Sequence, residues 1–316
     1  MAVLEVDHLV KRYRRGPRAN DGVTLRAEEG EVLGLLGHNG AGKTTLINQV
    51  VGLARPTSGT IRLAGGDPVA DPASARAACA LMPQSQVPLD GITPRQAVET
   101  TARIRGAPRQ RARARTGDLL AALDIEEWAD TAGEHLSGGV RRLTAFAMTA
   151  AEPGRLVIMD EPTNDVDPVR RRLLWAQVRA LAAGGRAVLL VTHNVAEAER
   201  SADRLAVMDS GRVVAEGTPA GLRAGVAGDL RLDLLMADAD APEVAFAGAG
   251  RPHRVGRRII VPLPADAADA ALACAQRLRA AGRIEEFALT PVSLEDVYIG
   301  LVGGGSEEGH HGALAA

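Results

Sequence analysis

Two short stretches of this chain carry residue types whose spacing suits phosphoanhydride chemistry. The first, Gly37-His38-Asn39-Gly40-Ala41-Gly42-Lys43-Thr44, has the spacing of a phosphate-binding loop. Its glycines let backbone N–H groups turn inward around phosphate oxygens, and the helix that follows presents its positive end. Lys43 is expected to neutralise the β- and γ-phosphates of ATP, and Thr44 to offer its hydroxyl to Mg²⁺. Gly37, Asn39, Gly40, Ala41, Gly42 and Thr45 make up the remaining ATP contacts expected here. The second stretch, Leu156-Val157-Ile158-Met159, reads as a buried strand running into Asp160-Glu161. Carboxylates at the C-terminal end of a parallel strand lie where such sheets bind ligands. Asp160 is expected to hold Mg²⁺ through water, and Glu161 to polarise or orient the attacking water as general base.

Further residues fit around these two. Gln84, after Met82-Pro83, carries an amide expected to touch Mg²⁺ and the attacking water while linking the sheet to a helical region; Gln86 is the alternative. His193 follows an apolar strand, in reach of a γ-phosphate, and Tyr13 is placed to stack on adenine. Leu136-Ser137-Gly138-Gly139 is expected to cap a helix whose positive end points at a γ-phosphate. Within one chain, that helix would have to fold over its own phosphate loop. A head-to-tail homodimer fits better, with Ser137, Gly138 and Gly139 of one subunit completing the site of the other. Asp167, in Pro162-Thr163-Asn164-Asp165-Val166-Asp167-Pro168, would then lie at the dimer seam.

The elements that must position these residues read as alternating strands and helices. Residues 1–30 suggest short strands around a turn at Arg15-Gly16-Pro17. Glu31–Leu36 is a buried strand entering the loop, and a helix begins by Thr45. Thr60–Leu63 follows a turn at Pro56-Thr57-Ser58-Gly59. From about Ile92 to Ala150 the pattern is helical, opened by Thr93 as N-cap and Pro94 at the first helical position. Leu156–Met159 and Ala187–Val191 are strands separated by a helix over Val169–Ala183. The alternation predicts a mostly parallel sheet with an inserted helical subdomain over about 90–150. Past Arg223 the texture changes to a small α+β domain over 224–302: strands at Leu230–Met236, Glu243–Phe246, Arg258–Val261 and Ile284–Leu289, a helix at Ala265–Ala281, and a capping box at Ser293-Leu294-Glu295-Asp296. A disordered tail is expected over 303–316, where His310-His311 is incidental rather than a metal site.

Composition removes several classes. The 316 residues carry a net charge of −2, which argues against a polyanion-binding protein as a whole. The six arginines from Arg103 to Arg115 mix i+2 with i+4 spacing and have no interleaved aromatics, so nucleic acid is not expected. No apolar run approaches the roughly 18 residues that span a bilayer, and Glu5 and Asp7 rule out a secretory leader in the first apolar stretch. Cys79 and Cys274 read as buried small hydrophobes in a reducing cytosol. Only Lys11 and Lys43 are lysines, against 35 arginines, so lysine survives at the loop position where a slim ammonium must reach between phosphates.

Together these motifs resemble the ATP-binding cassette (ABC) ATPases. Residues 4–220 look like a complete nucleotide-binding domain of the P-loop NTPase class: a mostly parallel α/β core, an antiparallel β subdomain and the inserted helical subdomain. Residues 225–302, ending in Pro291-Val292-Ser293-Leu294-Glu295-Asp296-Val297-Tyr298, are similar to the C-terminal extension of daunorubicin-resistance-type ABC-2 exporter ATPases. The resemblance implies a separate ABC-2 type membrane permease, export of a drug, lipid or polysaccharide-like compound, and a place on the inner face of the cell membrane. Val140 departs from the usual Gln or Met after Ser-Gly-Gly, Asn164-Asp165-Val166-Asp167 from Asn-Gly-Leu-Asp, and Met148 from a frequent Arg. The rival expectations are a non-transport ABC ATPase acting on ribosomes or DNA, which usually has two cassettes or a long coiled coil, and a regulatory ATP-binding module without turnover, which Glu161 and His193 disfavour.

Overall fold

The computed structural model describes residues 1–14, 16–224, 230–238, 246–250 and 252–303. Two compact units divide between Glu216 and Gly217. The first begins with β1 (Ala2–Arg12) and β2 (Arg18–Glu28), then β3 (Val32–Leu36), α1 (Lys43–Val50), β4 (Ser58–Leu63), α2 (Pro72–Ala78) and β5 (Cys79–Met82). The helices α3 (Pro94–Ile104), α4 (Arg109–Ala122) and α5 (Gly138–Ala151) follow. β6 (Leu156–Asp160), α6 (Pro168–Ala183), β7 (Ala187–Thr192), α7 (Val195–Ser201), β8 (Arg204–Asp209) and β9 (Arg212–Gly217) complete it.

The strands at the N-terminus are longer than their sequence pattern suggests. Register shifts around Asp7–Val10, with His8 at φ +46°, break the alternation that would otherwise mark one long strand. β2, β1 and β4 form a three-stranded antiparallel sheet. The larger sheet runs β5-β6-β7-β3-β8-β9 and is parallel from β5 through β8. Every residue of β3, β6 and β7 is buried, as expected of parallel strands covered on both faces. One apolar core joins Leu4, Val6, Leu25 and Ile61 of the antiparallel sheet to Leu35, Ile158 and Leu189 of the parallel one, with Leu46 of α1 between them. Thr93 caps α3 in a complete capping box with Gln96, and Pro94 stands at N1. Arg111 of α4 pairs with Glu152, while Arg105, the C-cap of α3, donates to the carbonyls of Arg76 and Ala77.

The second unit contains α8 (Pro219–Ala224), β10 (Leu230–Met236), β11 (His253–Val255), β12 (Arg258–Leu263), α9 (Ala268–Ala280), β13 (Ile284–Pro291) and α10 (Leu294–Gly303). It starts before the expected break at Arg223 because α8 packs on α10. Its antiparallel sheet, β11-β12-β10-β13, buries Leu232, Leu234, Val261 and Leu263 against Ala271 and Ala275 of α9. Ser293 and Asp296 exchange N–H bonds at the start of α10, at 2.8 and 3.3 Å. Arg15, most of the expected strand at 243–246, and the tail beyond Gly303 lie outside the described residues. Cys79 and Cys274 are buried free thiols.

Candidate active site

Sheet order brings the chemistry together. β6, β7 and β3 are adjacent, so the segments leaving their C-terminal ends are neighbours. There a cavity of about 190 Å³ is lined by Asn39, Gly40 and Gly42 of the loop, by Lys43, Thr44 and Thr45 of α1, and by Gln84, Asp160 and Glu161. Gln86 is exposed and does not line it. Gly42 sits at φ +104°, where a Cβ would stand 2.3 Å from the Ala19 carbonyl oxygen, so only glycine fits this approach of loop to β2. The fully buried Asn20 donates to the Gly42 carbonyl (3.1 Å) and accepts from Gln49 (2.7 Å), tying the loop to β2 and α1. Nothing in the spacing of Asn20 on a half-buried strand singled it out.

Lys43 Nζ donates to the carbonyls of Gly37 (2.5 Å) and His38 (3.0 Å). Gly37 thus braces the lysine rather than lining the cavity, and Ala41 is buried in the core. Burial pulls the Lys43 pKa down, against the attraction of Glu161 and Asp160. The two carboxylates differ in their surroundings. Asp160 is 8% exposed, and burial, then the charge of Glu161, raises its pKa against the pull of Lys43 and Arg142. Glu161 sits at φ +52°, a left-handed conformation that is costly for a residue with a Cβ. Its Oε1 accepts the backbone N–H of His193 (2.8 Å) and lies 2.6 Å from His193 Nδ1, while Oε2 accepts the Thr192 hydroxyl (3.0 Å). The carboxylate is therefore aimed by three groups that leave β7. His193 reaches the site through Glu161 and is not part of the cavity lining.

Other expected site residues lie elsewhere. Tyr13 is 48% exposed, with Lys11 Nζ 5.1 Å from its ring centroid, and does not line the cavity. Ser137 caps α5 by accepting from the Val140 N–H (3.3 Å), and neither it nor Gly138 or Gly139 lines the chain's own cavity. Gly139 instead packs on the loop before α6: a Cβ there would meet the Asp165 carbonyl at 2.6 Å. Asp165 holds φ +64° where the resembling pattern has glycine, a conformation that Asp tolerates better than most residues. Asp167 caps α6, accepting from Val169 and Arg170 N–H at 3.0 Å. Arg142, which no sequence motif marks, is 4% exposed beneath the site. It occupies a helix buried nearly all round, so no amphipathic pattern set it apart.

The donor set suits a small hard cation. Thr44 and Gln84 bring oxygens to the same cavity as the buried Asp160, whose charge the protein alone compensates poorly. A consequence follows for the protein without nucleotide. A carboxyl whose native pKa is raised carries no cost below its unfolded pKa, an increasing cost between the two values, and the full cost above the native one. Asp160→Asn removes that cost, so the apo protein should melt at a higher temperature at pH 7.5. The gain should shrink as the pH falls toward the ordinary aspartate value of 3.8. Calorimetric melts across pH test this; a lower melting temperature at pH 7.5 would contradict it.

The family model described as "ABC transporter" matches residues 20–164. A daunorubicin resistance ATP-binding protein of Streptomyces coeruleorubidus, DrrA3, is 35% identical over 304 residues, covering 95% of this chain and 96% of that protein. The chain belongs to the ABC transporter ATPases. The daunorubicin/doxorubicin resistance ATP-binding protein DrrA of Streptomyces peucetius is 34% identical, over 95% of this chain and 92% of its own. The Nod factor export ATP-binding protein I of Paraburkholderia xenovorans is 39% identical over 72% and 74%. A solved ATP-binding subunit of an ABC transporter superposes with a TM-score of 0.66 at 29% identity, covering 70% of this chain and 92% of that one. This ABC ATPase accordingly hydrolyses ATP, and the cavity between loop, Gln84 and the two carboxylates is its candidate nucleotide site.

Proposed function

We propose that the protein is the ATPase subunit of an ABC exporter, driving a separate ABC-2 type permease that moves a drug, lipid or polysaccharide-like compound. The observation that carries this reading is the likeness to resistance ATP-binding proteins over 95% of the chain, so that the second unit takes part in it as well as the nucleotide core. The name of a further relative states Nod factor export.

In this reading the amides of residues 37–45 wrap the phosphates, Lys43 exchanges its two loop carbonyls for phosphate oxygens, and Tyr13 stacks on adenine. Thr44, Asp160 and Gln84 would hold Mg²⁺, which when bound would supply positive charge to the phosphates. Glu161 takes the proton of the attacking water, and His193 and Thr192 fix the direction of its carboxylate. Ser137, Gly138 and Gly139 complete the site of a second copy in a homodimer. Their absence from the lining of the chain's own cavity supports that arrangement. Asp167 holds the seam loop by capping α6.

Among the described residues no helix is long and apolar enough to cross a membrane. The likeness to ATP-binding subunits of exporters supports a place on the cytosolic side, held at the membrane by a permease. Cell fractionation tests this against a ribosome- or DNA-directed ATPase. The chain should enter the membrane fraction only when a cognate permease is co-expressed, and should stay there through a high-salt wash that removes headgroup attraction. Salt-resistant membrane binding without a permease, or co-sedimentation with ribosomes, overturns the proposal.

A further inference from the structure

The β5–β6 ladder ends at Met82 paired with Met159. Beyond it Pro83 has no N–H to continue the ladder, and the two strand exits part with carbonyl groups facing between them. One side chain from a third element fills that gap. Arg142 of α5 donates through Nη1 to the carbonyls of Pro83 (2.7 Å) and Gln84 (3.1 Å). Through Nη2 it donates to the carbonyls of Asp160 and of Glu161, the latter at 2.6 Å. Its Nε has no partner, so the whole hydrogen-bonding engagement of this 4%-exposed cation is with those four carbonyls.

Three of these four carbonyls belong to residues that line the cavity, Gln84, Asp160 and Glu161. Gln84 hangs on one pair, and Asp160 and Glu161 on the other. Glu161 also stands at φ +52°, a conformation that persists only where its surroundings over-determine it. A planar guanidinium presents two parallel edges at fixed spacing, which a lysine ammonium cannot reproduce. Arg142 lies five residues after Ser137 on the helix that Ser137 caps. A displacement of that helix therefore passes through one side chain to both strand exits.

We propose that Arg142 is a positioning residue for ATP hydrolysis, a guanidinium clamp that sets the main chain of Gln84 against that of Asp160 and Glu161 and links both to the helix beginning at Ser137. This rests on the reading that Gln84 and Glu161 act where the γ-phosphate is attacked. The clamp touches neither the phosphate loop nor α1, so its loss should slow the chemical step and spare nucleotide affinity. A misplacement of reacting groups by an ångström costs roughly 10²-fold.

The experiment measures kcat, KM, affinity for a fluorescent ATP analogue and melting temperature in the full chain, for the wild type, Arg142→Ala, Arg142→Lys and Glu161→Gln. Arg142→Ala is expected to lose about 10–100-fold in kcat, with KM and nucleotide affinity within about threefold of wild type. Arg142→Lys, which keeps the charge and loses the fork, should fall between the two. A wild-type kcat in Arg142→Ala beside an inactive Glu161→Gln overturns the clamp. So does a parallel fall of kcat, affinity and melting temperature in both Arg142 variants, the signature of a merely structural role. Should Arg142→Ala fail to fold, Arg142→Lys decides alone: an unchanged kcat there overturns the proposal. Continued turnover by Glu161→Gln would instead overturn the underlying reading of the site.

Discussion

Glu161→Gln should bind Mg-ATP as the wild type does and hydrolyse it about 10²–10⁴-fold more slowly, the range that a positioned general base contributes. The amide keeps the size of the carboxylate, and its oxygen can still accept from the Thr192 hydroxyl or from the His193 N–H groups. What it loses is basicity toward water, at the end of a strand that enters the phosphate cavity. With turnover blocked, the state in which two chains share two nucleotides should accumulate. Light scattering should then show an ATP-dependent shift from monomer to dimer that the wild type, alone, does not hold. A mixture of Ser137→Arg and Lys43→Ala chains sharpens the result, because each heterodimer retains one composite site built from intact Lys43 and intact Ser137. Near-normal hydrolysis by the purified Glu161→Gln protein would remove the general base, and no dimer in any background, permease present, would remove the shared site.

The core strands, the loop and the capped helices were legible because each is written locally. β3, β6 and β7 are unbroken apolar runs ending at glycine, acid or histidine, and Thr93-Pro94 marks the start of α3 by its own chemistry. β1 was blurred because its bulge at His8 interrupts the period of two. The roles of Asn20 and Arg142 were invisible for a different reason. Each satisfies main-chain carbonyls that lie far away in sequence, Gly42 for Asn20 and Pro83, Gln84, Asp160 and Glu161 for Arg142. Such partners are defined only once neighbouring strands have been paired. His193 shows the same limit. Its place after β7 marked it out, but its partner in the structure is Glu161, 32 residues earlier in the chain and brought beside it only by the pairing of β6 with β7.

Lys43→Ala should cost at least about 10²-fold in affinity for a fluorescent ATP analogue, on the order of 2.7 kcal/mol. One charge-assisted hydrogen bond contributes about 1.5–3 kcal/mol, and the ammonium is expected to bridge two phosphates. The environment of the lysine enlarges the effect. It is 9% exposed and held by the Gly37 and His38 carbonyls at 2.5 and 3.0 Å, so it is already stripped of most water before a phosphate arrives. Burial lowers its pKa, while the nearby charges of Glu161 and Asp160 favour the ammonium. Removing that cation leaves two acids facing a polyphosphate across a cavity of about 190 Å³. Lys43→Arg should be impaired nearly as far, although it restores the charge, because a planar guanidinium has to sit where a tapering ammonium threads between two carbonyl oxygens. The chain itself offers a hint of this constraint, since it uses arginine 35 times and lysine only at positions 11 and 43. Equilibrium titration of both variants, with melting temperatures measured alongside to establish that they are folded, separates the two contributions. Weak binding by both assigns the loss to shape as well as charge, rescue by Lys43→Arg assigns it to charge alone, and wild-type affinity in a folded Lys43→Ala protein would mean that ATP binds somewhere other than this loop.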